Sequence, residues 1–322
     1  MKILVLAATG IQGYPSVCEL VKDGHEVSGF TLAGDPKAPA LEEMGVQMYY
    51  GDLMNPDDLY QAMCGKDAVV FIPALPTSGN PIPEFTVGYN VITSAERAGI
   101  EYLIHTSVNR AGQHETFTKW GRYFWESYRM YWIGKSVVID LVKMSKIRHW
   151  TILKPAYMMN CFVPPKVFGM YPQLRNGKIV SARDASTKVT MFSGEDMGRV
   201  VAEVFRNFDR FEGREIDLAG DSLNMEEVAK VLSEVTGKSV VADSKPRAEL
   251  SVDPEFNQSL HDVYKDFPGM DISAVVGGTI DAFEWDNEDG YKVDIEKANS
   301  YGVKLMTFKE WAELKKDEFV ID

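Results

Sequence analysis

The first half of the chain repeats one pattern: a short apolar run, a turn, and a segment in which apolar residues recur with helical period. This alternation is typical of βαβ crossovers and a parallel sheet. It predicts six strands: KILVLA (2–7), EVSGFTL (26–32), VQMYY (46–50), AVVFIPA (68–74), YLIHTSV (102–108) and WTILK (150–154). The helices between them are predicted at Gly13–Lys22, Lys37–Met44, Pro56–Met63, Glu84–Ala98 and Met130–Lys146. We therefore expect an α/β protein with a doubly wound parallel sheet.

The pattern becomes irregular after about Pro155, where Pro-, Met- and aromatic-rich loops separate isolated strands and further helices. We expect a sheet domain over residues 1–155, to which strands of roughly 178–220 return, and a smaller cap that comprises most of 156–322. The segment NPDDL predicts a helix start, because Asn55 can cap, Pro56 suits the first helical position, and two aspartates follow at the positive end of the helix dipole.

Composition narrows the possible functions of this 322-residue chain. Its formal net charge of -13 disfavours nucleic acid and anionic membranes as partners. No apolar run approaches the roughly 20 residues that span a bilayer. The three cysteines are far apart and lack metal-ligand spacing, so we expect free thiols, no metal site and a cytoplasmic location.

A small-residue turn, AATGIQG, joins the first strand to the first helix. Gly10 would let a pyrophosphate approach the backbone, Gly13 would let the helix pack closely on the sheet, and free N–H groups at the helix start would hold the anion. Ala7 stands where a first glycine is expected, and it would be strained at positive φ. The alternative is a strand-turn-helix that packs well and binds nothing.

The turn resembles that of the NmrA-like group of atypical short-chain dehydrogenase/reductases, with Thr9, Gly10, Gln12 and Gly13 as the matching residues. Further segments resemble the same family in the same order: GDLMNPDDL, GYNVITSAERAGIEYLIHTSV, LKPAYMMNCF and KVTMFSGEDMGRVVAEVF. The resemblance covers residues 1 to about 235 and implies a Rossmann domain that binds NAD(P). It implies that the cofactor-binding residues are Thr9, Gly10, Ile11, Gln12, Gly13, Thr31, Leu32, Lys37, Asp52, Leu53, Pro73, Ala74, Ser107, Lys135, Pro155 and Tyr157. For Asp52, a residue that caps its own turn is an equal alternative.

The choice between the two dinucleotides stays open. The family resemblance favours NADP, but Leu32 stands where NADP-dependent relatives carry a basic residue. Thr31 and Lys37 could reach a 2'-phosphate. Asp35, about 20 residues beyond the glycine turn, would instead accept a hydrogen bond from a ribose 2'-hydroxyl and disfavour the phosphate.

Tyr131 and Lys135 have the YxxxK spacing of the wider superfamily, which we interpret as a catalytic pair. Residues four apart share one helix face, so the ammonium would lower the phenol pKa and bind the nicotinamide ribose while the phenol donates a proton. The alternative is pocket lining or core, because KWGRYFWESYRMYWIGK is so rich in aromatic residues that a tyrosine four residues before a lysine arises easily by chance.

Aromatic loops at the carboxyl ends of the strands would contact the substrate, and our candidates there are Trp132 and Phe162. Asn160 resembles a residue that the family places near the nicotinamide and is our third substrate candidate, with a loop-turn role as the alternative. Such a lining suits a small apolar or aromatic carbonyl, enone or quinone. The sequence thus predicts an NAD(P)H-dependent oxidoreductase with a small-molecule substrate. The alternatives are a non-enzymatic NAD(P)-binding sensor and a nucleotide-sugar epimerase or dehydratase. The sequence does not determine the oligomeric state, and a homodimer is one option.

Overall fold

The computed structural model describes residues 1–73, 82–121, 126–265 and 271–322. Within these residues the chain forms twelve strands: β1 Lys2–Leu6, β2 Glu26–Thr31, β3 Gln47–Tyr50, β4 Ala68–Phe71, β5 Tyr102–Thr106, β6 His149–Pro155, β7 Tyr157–Met158, β8 Lys178–Ser181, β9 Val189–Phe192, β10 Arg214–Leu218, β11 Asp221–Leu223 and β12 Val241–Ser244. Seven of them form a parallel sheet in the order β10-β6-β5-β4-β1-β2-β3. The predicted doubly wound fold is confirmed.

The described residues also form fourteen helices: α1 Gly13–Lys22, α2 Ala38–Glu43, α3 Pro56–Met63, α4 Ile82–Ala98, α5 Glu126–Met144, α6 Val167–Met170, α7 Gly194–Arg206, α8 Phe208–Phe211, α9 Met225–Thr236, α10 Arg247–Leu250, α11 Pro254–Tyr264, α12 Ile272–Glu288, α13 Ile295–Asn299 and α14 Phe308–Leu314. Within the described ranges, none of these helices has the length and apolarity to cross a bilayer.

The side chains of β1 explain the layering of the sheet domain. Successive strand residues point to opposite faces, so Ile3 and Val5 join one core cluster and Leu4 and Leu6 another. The first cluster includes apolar residues of α1, α2 and α7, and the second those of α3, α4 and α5. The near-continuous apolar strands are thus buried on both faces, as a parallel sheet requires.

Most predicted elements agree with the structure to within a few residues. Helices α1 and α3 have the predicted bounds, and the Asn55 side chain accepts from Asp57 N–H at 3.0 Å, as the capping pattern predicts. The fourth strand ends at Phe71, earlier than predicted, and Ala74 lies outside the described residues.

Beyond Pro155, β10 returns to the main sheet, where it pairs with β6. The other later strands form two small sheets, β11-β9-β7 and β12-β8. A third core cluster packs around them and includes residues of α6, α9, α11, α12 and α14. The division into a sheet domain and a cap at residue 155 stays a prediction.

Helices α1 and α7 approach each other backbone to backbone. A Cβ on Gly198 of α7 would lie 2.2 Å from the Pro15 carbonyl oxygen, so a side chain there would push the helices apart. Ser193 caps α7 by accepting from Glu195 N–H at 3.2 Å. The first residue of α7, Gly194, lies against Ile11 of the glycine turn.

The glycine turn includes a strained residue. Ala7 has a φ of 51°, in the left-handed region that costs an L-residue about 1–2 kcal/mol. Ala7→Gly should therefore raise the free energy of unfolding by about 0.5–1 kcal/mol, the gain being reduced by the greater chain entropy of glycine. Urea denaturation of both proteins measures the difference.

Ala8→Gly is the matched control. Ala8 is fully buried and does not have positive φ, so the loss of its methyl group should lower the free energy of unfolding by about 1 kcal/mol. If both variants were destabilised alike, strain at Ala7 would not be the cause.

Candidate functional site

The glycine turn lies at the carboxyl edge of the sheet, where the strand order reverses between β1 and β4. The Ala7 carbonyl oxygen accepts from Gly10 N–H at 2.9 Å. A Cβ on Gly13 would lie 2.0 Å from that oxygen, so only glycine lets α1 begin this close to β1. A Cβ on Gly10 would meet only that oxygen, at 3.2 Å, so the space over the turn is open. Open space over a glycine turn at the start of a helix fits a dinucleotide phosphate.

Thr9, Thr31 and Asp35 form a hydrogen-bonded group where β1 and β2 end. One carboxylate oxygen of Asp35 accepts from the Thr9 hydroxyl at 2.6 Å and the Thr31 hydroxyl at 3.0 Å. The other accepts from Lys37 N–H at 2.9 Å. Burial raises the pKa of Asp35, but these hydrogen bonds outweigh it and hold the pKa below its usual value. Asp35 is therefore a carboxylate at neutral pH.

The basic candidate for a 2'-phosphate lies at the surface. Lys37 is exposed, and Leu32, directly after β2, is 63% exposed. Leu32 and Lys37 lie on either side of Asp35 in the chain. The Thr9 and Thr31 hydroxyls bond to each other and to Asp35, and the Lys37 ammonium takes no part in these bonds.

Asp52 and Leu53 follow β3. The Asp52 carboxylate accepts from Met54 N–H at 2.9 Å, the turn-capping geometry of the alternative interpretation. Leu53 is buried, and its carbonyl oxygen accepts from the Asn90 side chain at 3.4 Å. Pro73, half-buried, follows β4 at the same edge of the sheet. Their roles as adenine and cofactor contacts stay predictions.

Two buried polar side chains near the end of β5 lack a partner for one atom each. The Ser107 hydroxyl has no hydrogen-bond partner. His105 contacts the Phe71 carbonyl oxygen through Nδ1 at 3.3 Å, and its Nε2 has no partner. Burial, then the charge of Lys135, lowers the pKa of His105 to about 3, so the ring is neutral. A buried polar atom without a partner needs an explanation, and a ligand contact is one such explanation.

Lys135 pairs with a carboxylate that the sequence did not single out. Its Nζ lies 2.6 Å from Glu84 Oε1, and the two side chains are only 9% and 3% exposed. The ammonium also lies 5.6 Å from the centre of the Tyr131 ring. The pair at YxxxK spacing is therefore brought together, with the lysine over the ring face and held by Glu84 from α4.

The pKa of Tyr131 is raised, and the lowering that the YxxxK spacing predicts is wrong. Burial is the largest cause, followed by the neighbouring Glu84 and Cys161. Glu84 neutralises the ammonium that was expected to stabilise a phenolate. Tyr131 is consequently a neutral phenol, able to donate a proton and unsuited to act as a base.

Two tyrosines, Tyr128 and Tyr291, lie close to Tyr131. Its ring stacks on Tyr128 at 6.2 Å between centroids, and Tyr157 lies 6.3 Å from Tyr291. Four side chains in this region are partly exposed but recessed below the surface: Tyr128, Tyr131, Tyr291 and Cys161. Burial is the largest cause of the raised pKa of each. These neutral, recessed side chains fit an apolar or aromatic ligand.

Asn160 precedes Cys161, a neighbour of Tyr131, and bonds to the start of α7 next to the glycine turn. Its Oδ1 accepts from Gly194 N–H at 3.0 Å, and its Nδ2 lies 3.4 Å from Glu195 Oε1. A Cβ on Gly194 would lie 2.4 Å from Ile11 Cγ2, so Ile11 and Asn160 share the start of α7 as a neighbour. Asn160 follows the sixth strand at the predicted edge, but its amide is already bonded within the protein.

Trp132 and Phe162 are fully buried. The Trp132 ring packs at 5.0 Å from Phe117 and 4.9 Å from Trp285, whereas Phe162 stacks at 4.6 Å on Tyr171. Both side chains therefore pack behind the residues that line the site. Direct contact of either one with a substrate stays a prediction, and neither side chain is exposed.

Pro155 and Tyr157 lie where β6 passes into β7. The Pro155 carbonyl oxygen accepts from Asn109 N–H at 2.9 Å, and the Tyr157 hydroxyl donates to the Tyr171 hydroxyl at 3.1 Å. Both residues therefore lie at the same edge as Ser107, and these two bonds are made within the protein.

Sequence reasoning also missed a buried ion pair below Tyr157. Arg183 donates from Nε to Asp286 at 2.8 Å and from Nη1 to the Tyr171 hydroxyl at 2.8 Å. Its guanidinium lies 5.3 Å from the Tyr157 ring centre. The partners lie far apart in sequence, and no local motif marks either one.

Two surface depressions lie away from this edge. One, of about 500 Å³, adjoins Arg97 and Arg148, and the other, of about 690 Å³, lies between α11 and α12. Neither includes a predicted site residue. The candidate site rests on the buried groups at the carboxyl edge of the sheet.

The chain is similar to several known proteins. An NmrA-like family domain-containing protein of Dictyostelium discoideum is 22% identical over 253 residues, which cover 74% of this chain and 78% of that protein. Triphenylmethane reductase of Citrobacter sp. has a TM-score of 0.75 at 20% identity, covering 98% of this chain and 100% of that one, and a second structure of it holds NADP(H).

Two further structures share the fold. The Escherichia coli NADPH-dependent quinone oxidoreductase QOR2, complexed with NADPH, has a TM-score of 0.71 at 19% identity over 97% of this chain and 99% of that one. The negative transcriptional regulator NmrA in complex with NAD has 0.69 at 17% identity over 97% and 94%. The sequence model of the NmrA-like family matches residues 1–311. Because that match spans nearly all of its 322 residues, the chain belongs to the NmrA-like family.

Proposed function

We propose that this protein is an NAD(P)H-dependent reductase that transfers hydride to a small, uncharged carbonyl, enone or quinone. The observation that carries the proposal is the position of Tyr131 and Lys135 among recessed aromatic side chains, with Asn160 bonded nearby to the start of α7 next to the glycine turn. Fold neighbours whose names describe NADPH-dependent quinone oxidation-reduction and dye reduction support the same reaction class.

Within this proposal the glycine turn holds the dinucleotide, and Ser107 and Lys135 lie on its nicotinamide side. The bound reduced cofactor supplies the hydride. Tyr131 donates its hydroxyl proton to the acceptor oxygen, and solvent restores that proton. A neutral phenol in a protected site suits this step because it is protonated before hydride arrives. The Ser107 hydroxyl, free of partners, is a second donor toward the developing oxyanion.

The Lys135–Glu84 pair favours a non-enzymatic alternative. An ammonium already bonded to a buried carboxylate at 2.6 Å is less available to a ribose and does not activate Tyr131. A sensor would bind NAD(P) and change its surface for a protein partner, and the regulator among the fold neighbours binds NAD. Turnover on small acceptors separates this alternative from the reductase.

Tyr131→Phe should lower kcat about 100-fold with little change in KM, because the phenyl ring keeps the packing and loses the proton. Anaerobic oxidation of NADH and NADPH over a panel of quinones, enones and aldehydes provides the measurement. Tyr128→Phe is the matched control, since it removes the hydroxyl of the ring that stacks on Tyr131. Tight cofactor binding without turnover on any acceptor would support the sensor instead.

The pH profile provides a second measurement. Because burial raises the pKa of Tyr131, the phenol stays protonated up to at least its ordinary pKa of about 10. We expect that ionisation of Tyr131 causes no fall in kcat for reduction between about pH 7 and 9.5. Any fall in this range should therefore also be present in Tyr131→Phe. A Tyr131-dependent fall near neutral pH would contradict the neutral phenol.

Glu84→Gln should lower the free energy of unfolding by about 3–5 kcal/mol, because it leaves the Lys135 charge buried and unpaired. Glu84→Gln combined with Lys135→Met should recover most of the loss, since no buried charge remains. Denaturant titration measures both. Glu234→Gln, in the exposed pair with Lys309, is the control and should change stability by less than about 1 kcal/mol.

A further inference from the structure

The Asp35 carboxylate is fixed in place beside the glycine turn. Both of its oxygens are bonded, one to the hydroxyls of Thr9 and Thr31 and the other to Lys37 N–H. Thr9 belongs to the turn itself, and it is only 6% exposed. The loop after β2 therefore folds back so that a negative charge lies against the turn that is proposed to hold the dinucleotide.

The remaining bonding capacity of this carboxylate distinguishes a hydroxyl from a phosphate. A carboxylate offers about four lone-pair sites, and three are taken by the bonds to Thr9, Thr31 and Lys37 N–H. The remaining site accepts from one more donor. A ribose 2'-hydroxyl has a proton to donate, whereas a 2'-phosphate carries roughly -1.5 to -2 charges at neutral pH and is repelled.

The residues around Asp35 compensate little for this repulsion, because the charge of Lys37 acts on the Asp35 pKa more weakly than the hydrogen bonds of Asp35 do. A 2'-phosphate is usually held by a guanidinium or ammonium that pairs with its oxygens. Leu32, the first residue after β2, is an exposed apolar side chain. Lys37 binds Asp35 through its backbone N–H, and its side chain is at the surface.

We infer that the protein selects NAD(H) over NADP(H), and that Asp35, held by Thr9 and Thr31, is the residue that determines this choice. The inference rests on the proposed dinucleotide site and differs from the NADP preference that the family resemblance implies. It concerns binding and holds whether the protein is a reductase or a sensor.

Titration of the full-length protein with NADH and NADPH separately, followed by nucleotide fluorescence or calorimetry, tests the inference without an acceptor. We expect the Kd for NADPH to exceed that for NADH by at least about tenfold. Asp35→Asn keeps the shape and removes the charge, and it should reduce this ratio about tenfold or more. Adding Leu32→Arg to Asp35→Asn should make NADPH the tighter ligand.

Glu43→Gln is the matched control, because it removes one negative charge from the exposed surface of the neighbouring α2. It should leave the ratio of the two Kd values within about twofold of the wild type, since the solvent screens exposed charges. Circular dichroism melts of each variant check folding before the titrations are interpreted.

The possible outcomes are distinct. If NADPH binds as tightly as NADH to the wild type, or if the ratio is the same in Asp35→Asn, the role of Asp35 is purely structural and the inference is overturned. If neither nucleotide binds the folded wild type, the proposed function itself fails, and the inference fails with it. A wild-type preference for NADH that Asp35→Asn removes supports both.

Discussion

The contact between Gly13 and the carbonyl oxygen of Ala7 determines how closely the first helix can approach the sheet. A Cβ at Gly13 would lie 2.0 Å from that oxygen. The site therefore requires glycine, which has no side chain, at this position. Ala7 turns its carbonyl into this position by adopting a φ of 51°. Strain in the turn and close packing of the helix are two aspects of one arrangement, and such strain often marks functional sites.

The same close approach is repeated outward from the turn. Gly198 lets α7 lie directly on the backbone of α1, and Gly194 lets the start of α7 lie against Ile11. Asn160 then bonds to Gly194, which fixes the loop after β6 against the turn. The loop after β6 is therefore held relative to the glycine turn by the close approaches at Gly198 and Gly194 and by the Asn160 hydrogen bond.

The hydrophobic pattern was sufficient for the sheet because apolar runs of a parallel sheet are buried on both faces and are easy to recognise. Local capping signals were similarly reliable, as Asn55 illustrates. The site was less accessible to sequence reasoning because its electrostatics depend on pairs distant in the chain. No residue near Lys135 in the sequence indicates that Glu84 pairs with it. Because this pairing was not predicted, the pKa of Tyr131 was expected to be lowered, whereas it is raised. Asp35 was noticed by its spacing, but only the fold brings its carboxylate to Thr9.

Under the proposed function, the charges at the site also limit which acceptors suit it. Lys135 and Glu84 neutralise each other, His105 is uncharged at neutral pH, and Tyr131 is a neutral phenol. An anionic acceptor would find no uncompensated positive charge among these groups, and its desolvation would be costly in such a recessed site. A neutral acceptor loses little solvation on entry and becomes charged only as hydride arrives. Neutral donors such as the Tyr131 and Ser107 hydroxyls then interact most strongly with the oxyanion, which is the difference in binding that accelerates a reaction.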